Sequence, residues 1–296
     1  MFARMLADRY GEFAAPGAPN SVQLEIELLE ESDEGPGMRT GDNGSGKNEL
    51  RSPHSSLEEL GLTEDDEDGE DLSVRLEAGR WVIERGSYRA KWDPKTGRGS
   101  VRQTANPYAI DGVLRILHSL ILAREGGFLV HAASAVRNGQ AFVFAGISGT
   151  GKTTLARLAP PDVILLTDEI SYIRQEMGDR EQGKGLGKRL LTPDTCHLAP
   201  AYQAFGTPFA GELARIGRKM RAPLAALFLL QQGPENLIEP LSEADAVREL
   251  LRHVLFFARD EQLVHMVFLT VCDFVRRVPV RRLVFAPDAR VWELIA

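Results

Sequence analysis

The chain has 296 residues, 43% hydrophobic and 26% charged, which is enough apolar material for one large core or a core with a smaller attachment. Its net charge of −7 is local: nine carboxylates and no Lys or Arg lie between Glu58 and Asp71, and the remainder carries 33 acidic against 35 basic side chains, so no basic face for nucleic acid is expected. No apolar run approaches the ~20 residues of a membrane span, residues 1–8 lack a secretory apolar segment, and the isolated Cys196 and Cys272 suit neither a disulfide framework nor a zinc site. A cytoplasmic protein with neither a nucleic-acid nor a membrane partner is expected.

Four stretches follow from patterning. Residues 1–30 end in Val22–Leu28, whose apolar and polar residues alternate as in a half-buried strand. Residues 31–71 are rich in Gly, Ser, Asp and Glu and cannot bury enough surface to offset their ordering entropy, so a disordered acidic linker is expected. Residues 72–108 carry β-like alternation at Leu72–Leu76 and Trp81–Glu84. Residues 109–296 form the largest unit.

Within that unit, Ile110, Val113, Leu114, Leu117 and Ile121 follow helical spacing, and Gly126-Gly127 stops the helix. Phe128–Ala133 is a predicted strand, and Asn138-Gly139 a hairpin turn into a second strand, Ala141–Ala145. Asp162–Thr167 and Leu224–Leu230 are further buried strands. Ser242 with Asp245 starts a helix whose apolar face includes Val247, Leu250 and Val254. Glu261–Val275 is apolar nearly all round, which predicts deep burial. Arg276, Arg277, Arg281 and Arg282 bracket Pro279 and suggest a charged sheet edge. The fold class expected is α/β: a mixed twisted sheet flanked by helices, with a β-rich N-terminal part.

The most specific signal is Gly146-Ile147-Ser148-Gly149-Thr150-Gly151-Lys152-Thr153, followed by Thr154. It matches G-x-x-x-x-G-K-[ST] between a strand and a helix, the context this phosphate-binding pattern requires. Gly146, Ser148, Gly149, Thr150 and Gly151 would present backbone amides to phosphate oxygens. Lys152 would reach the β- and γ-phosphates, and Thr153 would offer its hydroxyl to Mg²⁺. Gly41–Lys47 has the same spacing but is followed by Asn48 and lacks a preceding strand; Gly183–Arg189 neither follows a strand nor opens a helix. Both are expected to be solvated loops.

Asp168-Glu169 closes the strand Asp162–Thr167, only sixteen positions beyond Lys152. Strand C-termini are where open α/β sheets bind ligands. Phosphoryl transfer needs a carboxylate near Mg²⁺ and a group to accept or orient the nucleophile's proton. Asp168 is the candidate for metal or base, with Glu169 as its neighbour, and a simple turn cap is the bland alternative for Asp168. His54, His118, His197, His253 and His265 read as structural, and Arg215, Arg218 and Arg221 as a solvated basic turn.

Phe128–Val136, the Asn138-Gly139 turn, Phe144–Thr154 and Leu166–Ile170 together resemble the HPr kinase/phosphorylase superfamily. The likeness spans about residues 109–296 and is greatest to the smaller HPr-kinase-related proteins of peptide and natural-product gene clusters, including kinases of lasso-peptide precursors. The glycine-rich loop is also similar to that of ATP-dependent phosphoenolpyruvate carboxykinase, and Phe205–Glu212 looks like a Gly-Thr-Pro segment recurrent in such proteins. The resemblance implies an HPr kinase/carboxykinase-like fold, an ATP- and Mg²⁺-dependent serine kinase acting on a peptide or small protein, and a possible homo-oligomer. It also implies a role for His131 beside the catalytic acid. The related bacterial enzymes carry an Asp-Asp pair where this chain has Asp168-Glu169, which leaves open which carboxylate takes the proton. Two alternatives remain at this point: a nucleotide-binding accessory protein that recognises a peptide without phosphotransfer, and a simple ATPase using Glu169 on water.

Overall fold

In a computed structural model, the described residues are 2–14, 22–29, 72–176, 202–211, 213 and 216–295. The acidic linker, both imitation loops, Cys196, His54, His197 and Arg215 lie outside them. A short helix, α1 (Phe2–Tyr10), precedes strand β1 (Gln23–Leu28), and four strands follow: β2 (Ser73–Glu77), β3 (Arg80–Arg85), β4 (Tyr88–Asp93) and β5 (Arg98–Gln103). They form one sheet in the order β1-β5-β4-β3-β2, with β1 parallel to β5 and the other pairs antiparallel. Alternation decides which face is buried. In β4, Tyr88, Ala90 and Trp92 are covered while Arg89 and Lys91 face out.

Helix α2 (Pro107–Arg124) starts where Asn106 Oδ1 accepts the Tyr108 amide at 2.9 Å, with Pro107 in the first turn, where a missing N–H costs nothing. It packs on both sheets. Val113, Ile116, Leu117 and Leu120 join Trp81, Ile83 and Trp92 of the first sheet and Phe128, Val130 and Val143 of the second in one continuous core.

The second sheet contains β6 (Gly127–Arg137), β7 (Gln140–Ala145), β8 (Ile164–Thr167), β9 (Ile170–Gln175), β10 (Tyr202–Phe205), β11 (Arg221–Gln232), β12 (Leu237–Pro240), β13 (Val254–Leu255) and β14 (Val280–Phe285). The order is β10-β9-β6-β7-β11-β14-β12, with β8 and β13 also on β6. A further β10–β11 pairing closes a ring of five strands. Its helices are α3 (Lys152–Arg157), α4 (Glu243–Leu251), α5 (Glu261–Arg277) and α6 (Val291–Leu294). The described residues thus form a β-rich mixed α/β fold with six helices, none long and apolar enough to cross a membrane. The Asn138-Gly139 hairpin is as expected, both residues having positive φ (52° and 77°) between Arg137 and Gln140.

Four expectations are corrected. The helix begun at Ser242 stops at Leu251, and Val254, expected on its apolar face, lies instead in β13 opposite Val130. Only one side of α5 is buried, through Leu263, Val267, Val271 and Phe274, with Val264, Met266 and Val275 at its margins; Phe268 and Leu269 fall on the outer face and are 44% and 51% exposed. Arg281 and Arg282 are not on a sheet edge, since β14 lies between β11 and β12, and Arg282 faces Glu239 at 3.6 Å. The true edge, Leu237–Pro240, is too short to announce itself. Pro223 lies inside β11 rather than before it, close to a register shift between Leu224 and Ala226 where β11 passes from β10 to β7.

Candidate functional site

Strand β7 is buried from Ala141 through Ala145 and delivers the chain to Gly146 at the sheet's end. The loop's backbone demands its glycines. Gly149 and Gly151 have φ of +81° and +103°, and a Cβ on Gly151 would lie 2.7 Å from the Phe285 ring. A Cβ on Gly146 would meet Thr150 Oγ1 at 2.4 Å. Thr150 donates its hydroxyl to Ile147 O at 2.8 Å, and Gln232 Nε2 donates to Gly149 O at 2.5 Å. Below the loop, Leu155 of α3 packs into a second core with Phe144, Phe228 and Trp292, and Trp292 Nε1 donates to Leu155 O. Thr153 and Thr154 are half-buried in the first turn of α3, and Ser148 and Gly149 are exposed. Lys152 is buried, its ammonium donating to Gly146 O at 2.6 Å and Ile147 O at 3.0 Å. The cation therefore points into the curl of its own loop.

Strand β8 ends at Thr167, and β9 begins at Ile170, so Asp168 and Glu169 form the whole junction. Thr167 shapes it, its hydroxyl accepting the Glu169 and Ile170 amides at 3.2 and 3.3 Å and donating to Phe209 O. Asp168 is buried, and both its oxygens accept backbone amides: Oδ1 from Gly211 at 2.9 Å and Oδ2 from Leu213 at 2.8 Å. It anchors a loop, and a carboxylate offers about four lone-pair sites, so two accepted bonds leave capacity for a cation. The segment after β10 is stitched to the same junction: Thr207 donates through its amide to Leu166 O at 3.2 Å and through its hydroxyl to Ile170 O at 3.0 Å. Glu169 is ion-paired at 2.9 Å with Arg115 of α2, whose guanidinium also lies 5.4 Å from the Phe209 ring centroid.

Sheet register brings the two halves together. Ala132 of β6 faces Ala145 of β7 on one side and donates its amide to Glu169 O at 2.9 Å on the other. The loop's entry and the acidic junction are thus two strand spacings apart, roughly 10 Å. His131 sits beside this row, half-buried, its amide donating to His253 O at 2.8 Å. Burial pushes its imidazole down to about 4, helped by the Lys152 ammonium. His253 is also held at about 4, by burial and then by Lys152. Both rings are neutral near pH 7 and lie in the field of the same lysine.

Sequence patterning missed two members of this group. His253 gave no local signal; only the pairing of Val254 and Leu255 with Val130 and Leu129 brings it to His131. Arg115 did give one: a charge between Leu114 and Ile116 in an otherwise apolar helix stretch. Arg218 and Arg221 are exposed, as expected, but Arg221 belongs to no turn: it opens β11, opposite Phe205 of β10, and lies 4.0 Å from Glu176.

No protein-family model matches the chain, and a search of curated proteins found no match. Among the described residues no group of three or more His, Cys, Asp or Glu side chains could hold a metal by itself. Mg²⁺ characteristically takes one or two carboxylates and fills its shell with phosphate oxygens and water, so a site using Thr153 and Asp168 would need no such group. The loop fits a phosphate group by its positive-φ glycines and inward-facing cation.

Proposed function

We propose that this protein is an ATP- and Mg²⁺-dependent kinase that transfers the γ-phosphoryl group to a hydroxyl, a serine of a peptide or small protein. Its nucleotide-binding core would be an HPr kinase/carboxykinase-like phosphate-loop fold. The observation that carries this reading is the three-strand row from Ala145 through Ala132 to Glu169, which sets the glycine-rich loop and two carboxylates on strand ends that flank β6.

In the reaction proposed, the hydroxyl oxygen bonds to the γ-phosphorus, the bond to the β,γ-bridging oxygen breaks, and the hydroxyl proton passes to a carboxylate. Lys152 exchanges its two carbonyl partners for phosphate oxygens, a stronger, charge-assisted pairing. Thr153 and Asp168 would hold Mg²⁺, which would supply charge neutralisation at the phosphates. Glu169 is more accessible than Asp168, its side chain 25% exposed against a residue exposure of 3% for Asp168, so Glu169 is the better-placed proton acceptor and Arg115 fixes its position. His131, neutral and beside Lys152, contributes a polar group that does not compete for the transferred charge.

One observation favours a second reading. The double amide bond to Asp168 gives it a purely structural employment, as a nucleotide-binding module without phosphotransfer would need. Incubation with γ-labelled ATP, Mg²⁺ and serine peptides separates the cases. Label on peptide that vanishes in Lys152→Ala supports the kinase. ATP retained without turnover supports the binding module, and label released only as free phosphate means an ATPase.

A further inference from the structure

Beside the acidic junction lies a cleft of about 900 Å³ that the phosphoryl-transfer reading leaves unexplained. Its walls are α1, the first turn of α2 and the described residues around 210–216. Met5, Tyr108 and Ile216 give it apolar surface, Tyr108 being 72% and Ile216 42% exposed. Gly211 also lines it, and behind Gly211 stand the carboxylates: a Cβ there would lie 3.1 Å from Asp168 Oδ2 and 3.1 Å from Glu169 Cβ.

One face of α2 joins the cleft to the site. Tyr108, Asp111 and Arg115 are spaced i, i+3, i+7 and so lie in one stripe. Tyr108 lines the cleft. Asp111, 3% exposed, holds α1 in place by accepting from Arg9 and Tyr10, and Arg115 holds Glu169. From Tyr108 to Arg115 the helix rises about 10 Å, the reach of roughly three extended residues. Among the described residues Arg9 is paired with Asp111, and the solvent-exposed Arg4 and Asp8, 4.0 Å apart, carry opposite charges. Apolar contact with Met5, Tyr108 and Ile216 is what distinguishes a ligand here.

We infer that this cleft receives the acceptor chain, an extended peptide bearing a large apolar side chain roughly three residues from its reacting hydroxyl. The inference rests on the kinase reading, which places the reacting hydroxyl at Glu169, on the far side of Gly211 from the cleft. Binding is selected by apolar burial and depends only weakly on salt, since the exposed Arg4 and Asp8 are opposite in sign and solvated charges are screened.

The test uses the full chain and a degenerate mixture of short serine peptides, with two readouts. In the first, transfer from labelled ATP is sequenced for flank preference in wild type and in Ile216→Asp. In the second, a photo-crosslinking benzophenone amino acid replaces the exposed Tyr108 and captured peptides are identified, with no phosphotransfer required. The expectation is about tenfold or greater enrichment of Leu, Ile, Met or Phe near the third flanking position, lost in Ile216→Asp, and crosslinking to the same peptides in low and moderate salt. Transfer with no flank preference, or with a preference that Ile216→Asp leaves unchanged, overturns the cleft and leaves the kinase standing. Crosslinking of apolar-flanked peptides without transfer keeps the cleft and overturns the kinase. Neither crosslinking nor transfer overturns both.

Discussion

Arg115 Nη2 lies 2.9 Å from Glu169 Oε2, although 54 positions separate the two residues in the chain. The contact exists because α2 packs on β6 while β6 bonds the β8–β9 junction. A helix residue with no recognisable motif thereby controls where a candidate catalytic carboxylate points.

Replacing Arg115 with Met keeps most of the side chain's apolar volume and removes the partner of a largely buried carboxylate. The expected cost in stability is about 2 kcal/mol, the range for a hydrogen bond to a charged group. Activity should fall by about tenfold to a hundredfold, expressed in kcat, because Glu169 loses its orientation while the phosphate loop is untouched. Urea melts alongside steady-state kinetics check both. Unchanged kcat in a destabilised protein would reduce Arg115 to a structural residue.

Lys152→Ala removes a cation that donates to both Gly146 O and Ile147 O. Nucleotide affinity and turnover should both drop, turnover by about a hundredfold to a thousandfold, as for deletion of one preorganised donor to a charged transition state. Equilibrium nucleotide binding and single-turnover transfer measure the two effects separately.

The three histidines held at about 4 make stability fall with acidity. His118 is pushed down by burial, His131 and His253 by burial and by Lys152. Below the ordinary histidine value of roughly 6.5 the unfolded chain takes up protons that the folded chain refuses, so the folded state is progressively disfavoured between about pH 6.5 and pH 4. Their contribution is complete above that window. Urea midpoints across it should decline, and His131→Gln should make the decline shallower. A midpoint constant from pH 7 to pH 4.5 would contradict this account.

Much of the central architecture was legible because local signals agreed with the tertiary outcome. The hairpin at Asn138-Gly139, the Ser242 cap and the spacing of α2 each appear as their residues dictate. Other elements were hidden by context. Tyr202–Phe205 is too short to signal a strand alone, yet it bridges β9 and β11. Glu261–Val275 looked uniformly apolar because hydrophobicity does not reveal which face meets a neighbour; only packing leaves Phe268 exposed. For the site, the glycine-rich loop and the Asp168-Glu169 pair are contiguous motifs and were readable. His253 enters through register, which no single stretch of sequence encodes, and Arg115 shows locally as a charge among apolar residues, although only helix packing gives it Glu169 as a partner.

Glycines that hold the segment after β10 against the acidic junction give the sharpest steric test. A Cβ on Gly217 would stand 1.6 Å from Leu166 O, an overlap with backbone that no rotamer relieves. At Gly211 the nearest atoms are side-chain atoms of Asp168 and Glu169 at 3.1 Å, able to shift by a few tenths of an ångström. Gly217→Ala should therefore displace the backbone beside β8 and cost about 3 kcal/mol or more, comparable with severe overpacking. Gly211→Ala should cost about 1 kcal/mol and act instead on function, by moving the carboxylates that its segment holds in place. Thermal melts rank the two variants by stability, and phosphotransfer assays at a temperature where both are folded rank them by activity. Equal stability losses would mean that the segment yields around Gly217, and full activity in Gly211→Ala would detach the carboxylates' position from the reaction.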